Sequence, residues 1–200
     1  HEPMMARVVE LVATNEVGPL RHISSGFSFA QSRSSDVRLD PALGGGSLWD
    51  IGCYAVGAAR LIVGEEPTEA VGFATLADNG VDESFTGLLR FSRGIVATIH
   101  SSFRAAYRTW LEVAGADGVL GVASPFKPAA IETIELQRGD EVRQIIVEGS
   151  TQLFVRQIDD FVAAAIDGRP PTVSLADSRG NAAALAALHR SARSGRAVQL

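Results

Sequence analysis

Residues 83–103 read ESFTGLLRFSRGIVATIHSSF, and this stretch decides the fold. Phe85, Gly87, Leu89 and Phe91 fall at every second position before Ser92-Arg93-Gly94, and Ile95, Ala97, Ile99 and Phe103 keep one parity after it. Period two is the signature of a half-buried strand. A three-residue connector cannot hold the crossover of a dozen or more residues that parallel neighbours require, so these two strands must pair antiparallel. Outward from here the same texture predicts strands at 69–76, 110–114, 119–122, 131–137 and 142–147, with Ala116-Asp117-Gly118 and Arg138-Gly139-Asp140 as further tight connectors. An earlier run, LRHISSGFSF at 20–29, puts Ile23, Ser25, Phe27 and Phe29 on one side and His22, Ser24, Gly26 and Ser28 on the other. Helical spacing is expected at 3–14, 47–63, 152–167 and 174–195, the last opened by a Ser174 N-cap with Asp177 three residues on. The expected architecture is α+β: an open, largely antiparallel sheet with helices on one face. Alternating apolar residues on the other face suggest a partner subunit there.

Charge narrows the function classes. With 18 Lys and Arg against 23 Asp and Glu, the net charge is −5, the wrong sign for a nucleic-acid or anionic-lipid surface. No apolar run approaches the ~18 residues of a membrane span, and a cytoplasmic setting is expected. No H-x-x-x-H or C-x-x-C pattern organises His1, His22, His100, His189 and Cys53 into a metal site, so none is expected. Cys53 reads as a buried, inert thiol, and the only lysine, Lys127, as part of a structural turn.

The chemistry concentrates in GGGSLWDIGCY, residues 44–54. Three glycines allow close approach of backbone to a ligand or another chain, and the following helix turns its free N–H groups back toward that space. Asp50 and Tyr54, four residues apart, project from one face of the first turns. A carboxylate beside a phenol is a candidate proton-handling pair, but a phenol of pKa near 10 needs a cation to serve at neutral pH. The bland alternative is a first-turn acid and a half-buried packing residue. Arg33 and Arg38 in the preceding loop either clamp a ligand's hydroxyls or carboxylate or are solvated charges. Neither 44–46 nor GADGVLG at 115–121 follows the G-x-G-x-x-G order of a dinucleotide loop, and no βαβ unit surrounds them. Asp159, Asp160 and residues 177–179 read as solvated helix faces and a cap.

The stretch GGGSLWDIGCYAVGAARLIVGEEP, residues 44–67, resembles the glucose-fructose oxidoreductase and inositol dehydrogenase family, nearest its dimeric dihydrodiol and xylose dehydrogenase branch with the motif G-G-G-x-L-x-D-x-G-x-Y. The likeness continues through residues 115–122 with the following Ser-Pro-Phe and through Asp177-Ser178-Arg179-Gly180-Asn181. It implies that these 200 residues are the C-terminal substrate-binding and oligomerisation domain of an NAD(P)-dependent oxidoreductase for a sugar, polyol or diol. An N-terminal Rossmann domain, absent from this chain, would hold NAD or NADP and supply the lysine that assists proton transfer. Tyr54 then becomes the acid/base residue, Asp50 its partner at the substrate, Arg38 and Trp49 substrate contacts, and Gly45 and Gly46 minor cofactor contacts. A homo-oligomer would form through the sheet. The isolated chain is expected to bind no cofactor and to be inactive. The rival expectation is a non-catalytic dimerising or polyol-binding module.

Overall fold

The computed structural model describes residues 2–31, 35–127, 129–149, 152 and 154–200, so His1 and Arg33 lie outside the described residues. Among the described residues nine strands form one sheet in the order β8-β7-β6-β5-β1-β4-β3-β2-β9. They are β1 (Leu20–Ser28), β2 (Glu69–Leu76), β3 (Asp82–Arg90), β4 (Val96–Ser102), β5 (Arg108–Gly115), β6 (Val119–Val122), β7 (Ile131–Arg138), β8 (Glu141–Glu148) and β9 (Val198–Gln199). The hairpins β2–β3, β3–β4, β5–β6, β6–β7 and β7–β8 pair antiparallel, as their short connectors require. β1 enters the middle of the sheet, parallel to β4 and antiparallel to β5. The parallel pairing is possible because a helix and a hairpin, far more than a dozen residues, separate β1 from β4.

One face of the sheet carries the core. Ile23 of β1, Ala97 and Ile99 of β4, Phe85 and Leu89 of β3 and Leu111 and Val113 of β5 are all buried there. The helices α1 (Pro3–Ala13), α2 (Cys53–Val63) and α4 (Leu175–Ser194) contribute Met4, Val8, Leu11, Ala55, Ala59, Ile62, Leu185 and Leu188 to the same cluster. A fourth helix, α3 (Val155–Asp167), has no buried residue.

The two stretches singled out for their family likeness meet in space. Arg60 of α2 is buried and forms a two-pronged pair with Glu66, Nε to Oε2 at 2.8 Å and Nη2 to Oε1 at 2.5 Å, while its Nη2 also reaches Asp177 Oδ1 at 3.1 Å. A Cβ on Gly180 would collide with Glu66 Oε1 and Arg60 Nη2, which explains a glycine inside a helix that ordinarily disfavours one. Asn181 donates to the Cys53 carbonyl at 3.5 Å. The segment 177–181 therefore docks α4 onto α2 and is more than a solvated face.

The opposite face of the sheet is open. Across its middle run Phe73, Thr86, His100, Gly26 and Trp110 in register. Trp110 donates to Ser24 Oγ at 3.2 Å and stacks on His100, with Arg108 above its ring at 4.6 Å. Phe73 projects from this face 69% exposed.

Ile99, fully buried on β4 between β1 and β3, tests the placement of the core. Ile99→Ala should lower the unfolding free energy by about 2–5 kcal/mol in a urea titration, the usual cost of such a cavity.

Candidate active site

The corner before α2 is built from two 3₁₀ turns, Val37–Leu39 and Pro41–Leu43, a glycine run, and a π-helical turn, Leu48–Gly52, leading into α2. The helical period seen in the sequence is thus real, but its first turn is wound wider than α. Single π turns of this kind are frequent at functional sites.

What holds the corner is Asp82, which the sequence reading did not single out. Its buried carboxylate accepts from the Leu48 N–H at 2.8 Å and from the Ser47 hydroxyl at 2.8 Å, and Ser101 Oγ lies 3.0 Å from Ser47 Oγ. The acid thus takes up an otherwise unpaired N–H at the start of the helical segment, from a strand 34 residues away. The only sequence signal was an acid at the edge of a predicted strand, too common to point here. Two of the glycines follow from this clamp. A Cβ on Gly46, at φ +134°, would lie 2.2 Å from Asp82 Oδ1, and one on Gly45 would lie 2.5 Å from the Arg38 carbonyl oxygen. Both are required by the chain's own close approach.

On the exposed side of the corner the structure brings together Arg38, Asp50 and Tyr54. Arg38 Nε donates to Asp50 Oδ2 at 2.8 Å, and its Nη1 donates to Asp36 Oδ1 at 3.2 Å. The guanidinium is therefore engaged, not merely solvated. A partly exposed ion pair contributes only about 0.2–1 kcal/mol to stability, so its main effect is to fix the position of both side chains. Tyr54 is half-exposed, and its ring lies 5.6 Å from Phe126 and 6.0 Å from Phe27. Phe126 belongs to the Ser-Pro-Phe segment noted above. Lys127 Nζ sits 5.3 Å from the Tyr107 ring centroid and 5.8 Å from that of Phe27. Lys127 and Tyr54 thus both lie against the Phe27 ring. Trp49 faces elsewhere, into a cleft of about 770 Å³ between the corner and the end of α4, lined also by Leu76, His189 and Arg193.

The electrostatics keep the phenol protonated. Burial pushes the Tyr54 hydroxyl above its ordinary value of 10, Cys53 and Asp50 add to the rise, and Arg38 opposes it. Burial also pushes the Cys53 thiol up to about 11, so almost no thiolate exists near neutrality. The Asp50 hydrogen bond is the main reason Arg38 is held more firmly cationic than usual. Burial raises the Asp82 carboxyl, with the Leu48 N–H and Ser47 hydroxyl acting against it.

Among the described residues no group of three or more His, Cys, Asp or Glu could hold a metal ion, and no helix is long and apolar enough to cross a membrane. Nor do they include a dinucleotide cradle: β1 and β4, the parallel neighbours, are separated by a hairpin as well as a helix, and no G-x-G-x-x-G turn follows β1. The corner places a phenol, a carboxylate and a guanidinium on one open surface beside aromatic rings.

Residues 5–121 match the GFO/IDH/MocA C-terminal domain. Across 201 residues the chain is 33% identical to D-xylose 1-dehydrogenase (NADP(+)) 2 of Haloferax volcanii, covering 99% of this chain and 61% of that protein. Among solved structures, aldose-aldose oxidoreductase from Caulobacter crescentus, complexed with glycerol, superposes with a TM-score of 0.87 at 27% identity, covering 100% of this chain and 61% of that one. The 3-ketoreductase KijD10 from Actinomadura kijaniata, in complex with NADP and TDP-benzene, gives a TM-score of 0.89 at 25% identity over 96% of this chain and 59% of that one. The chain thus spans about three fifths of the length of these relatives.

Two titrations check this account of the corner. The phenolate absorbance of Tyr54, assigned by its loss in Tyr54→Phe, should rise above pH 10; Arg38→Ala should move that midpoint up and Asp50→Asn should move it down. For Asp82 the folded-state pKa is raised, so its protonation favours the folded state below the ordinary 3.8, and that contribution is lost as pH rises through the raised value. Measured by denaturant unfolding, the stability of the parent relative to Asp82→Asn should accordingly fall as pH rises across that window.

Proposed function

The chain belongs to the GFO/IDH/MocA family as its C-terminal domain, and from that we propose that it is the substrate-binding and oligomerisation part of an NAD(P)-dependent oxidoreductase acting on a sugar, polyol or diol. The nicotinamide dinucleotide would be held by an N-terminal Rossmann domain outside these 200 residues, which explains why the match covers only about three fifths of the relatives. Gly45 and Gly46 would touch the cofactor only through their backbone. Action in the cytoplasm belongs to the same proposal.

The observation that carries this reading is the half-exposed Tyr54 phenol, kept protonated beside the Arg38–Asp50 pair. When bound, the nicotinamide supplies or accepts the hydride. This chain's own residues handle the proton and the pose. In the reducing direction the Tyr54 hydroxyl donates its proton to the oxygen of the carbonyl as that oxygen gains negative charge, and a raised pKa keeps the proton in place until then. In the oxidising direction Tyr54 must take a proton from the substrate hydroxyl, which requires a neighbouring cation to stabilise the phenolate. Arg38 is committed to Asp50 and Asp36, so another group would supply that cation, in this proposal a lysine of the N-terminal domain. Asp50 accepts a hydrogen bond from a substrate hydroxyl, while Arg38 holds the carboxylate in place and offers its remaining N–H groups. Trp49, facing the neighbouring cleft, would contact the more distant part of a larger substrate.

Pairing of two copies through the open sheet completes the proposal. The row Phe73, Thr86, His100, Gly26 and Trp110 offers an apolar end and a polar, stacked middle, the mixture expected of an interface.

In the full-length enzyme, Tyr54→Phe should reduce kcat by about 10²–10⁴, the usual contribution of a positioned acid/base, while the NAD(P) dissociation constant stays the same; undiminished turnover would remove Tyr54 from the mechanism. Phe73→Asp should shift the oligomer toward monomer in size-exclusion chromatography with light scattering. An unchanged mass would place the interface elsewhere.

A further inference from the structure

We infer that the cleft between the corner and the end of α4 binds a second sugar ring, outside the site at Tyr54; only the joining of that ring to the reacting one rests on the proposed function. The two tryptophans of the chain differ in what they touch. Trp110 is satisfied within the fold, its indole N–H donating to Ser24 Oγ and its ring stacked on His100. Trp49 is 39% exposed, and among the described residues its N–H has no hydrogen bond and its ring has no aromatic or cationic neighbour. The Trp49 ring instead walls the cleft of about 770 Å³. Small-molecule sites typically enclose roughly 300–1,000 Å³.

On α4, His189 and Arg193 stand four residues apart, hence on one helix face, and both line the cleft. Among the described residues neither side chain makes a hydrogen bond or an ion pair. Arg60, by contrast, is buried and bonded to Glu66 and Asp177. A cation near the C-terminal end of a helix suits the helix dipole, but the dipole does not require it to share a cavity with an uncovered indole. The glycine run closes the cleft: Gly44 and Gly45 line it, and their carbonyl oxygens accept no hydrogen bond among the described residues. Three side-chain groups that can donate, two carbonyl acceptors and one aromatic face thus surround a single space.

Charge chooses the ligand. Asp82 lines the same cleft, and His189 favours its charged form. That carboxylate offsets Arg193 and repels an anion, so a phosphate or carboxylate group is a poor occupant. A sugar ring fits, because each of its hydroxyls both donates and accepts while its C–H face, slightly positive, rests on the negative face of an indole. Trp49 and Asp50 are neighbours in the turn Leu48–Gly52, which Asp82 holds through the Leu48 N–H. A ring in the cleft therefore bears on the same turn as the reacting molecule at Asp50. It is either the second ring of a disaccharide substrate or a separate sugar molecule.

The test titrates the full-length protein with glucose and with cellobiose while tryptophan fluorescence is followed, the share of Trp49 being assigned by its loss in Trp49→Phe. The parent should give a saturable Trp49 response. Arg193→Gln, at an exposed position, should weaken that response about tenfold, the order expected for one hydrogen bond from a charged group. If the ring belongs to the substrate, kcat/KM for cellobiose falls about tenfold in Arg193→Gln while that for glucose stays within about twofold. If it is a separate sugar, only the response to glucose weakens and both kcat/KM values hold. No Trp49 response to either sugar in the parent, a response that Arg193→Gln leaves intact, or a response to inorganic phosphate alone would overturn the inference. A Trp49 response to sugar in a full-length protein that turns over no sugar would support the cleft and overturn the functional reading instead.

Discussion

Everything at the candidate site depends on one buried carboxylate. Asp82, at the start of β3, takes the Leu48 N–H and the Ser47 hydroxyl together and so decides where the helical segment starts. A buried acid is costly unless its hydrogen bonds are made, and here the return is geometric. With Gly46 pressed against the carboxylate and Gly45 against the Arg38 carbonyl, the loop has one way to turn. That turn delivers Arg38 to Asp50 and leaves Tyr54 half-open to solvent. The loop, the helical segment and a distant strand of the sheet are thereby tied together through Asp82.

The corner suits proton donation better than nucleophilic attack. Burial and the neighbouring Asp50 both disfavour a phenolate at Tyr54, and burial does the same for the Cys53 thiolate. Arg38 opposes the effect at Tyr54 without reversing it, because its closest partner is Asp50. The aromatic wall of Phe27, Phe126 and Tyr107 supplies an apolar flank on which the face of a ring could rest.

The sheet was legible because its information is local. Strands 69–76 and 119–122 match their observed bounds, and the tight turns at Ser92-Arg93-Gly94, Ala116-Asp117-Gly118 and Arg138-Gly139-Asp140 forced antiparallel pairing. The position of β1 between β4 and β5 was not legible, since no local pattern says which distant strand a run will join. The spacing of Asp50 and Tyr54 placed them on one face, and the structure agrees in bringing Arg38 to the same surface. The parts that escaped were set by tertiary contacts: Asp82 as a clamp, the π-helical turn, Asp160 as a latch on Arg169 and Thr172 rather than a solvated acid, and the meeting of residues 177–181 with Arg60. The helical spacing at 152–167 was legible in the sequence, yet only the structure shows that α3 has no buried residue.

The most direct measurement is a crystal structure of the full-length protein with NAD(P) and a polyol, in which the distance from Tyr54 Oη to the reacting oxygen is read. The account requires hydrogen-bond contact, about 2.6–3.2 Å, with Asp82 still gripping Leu48. A polyol bound with its reacting oxygen well beyond reach of Tyr54, its proton taken up by another side chain, would contradict it.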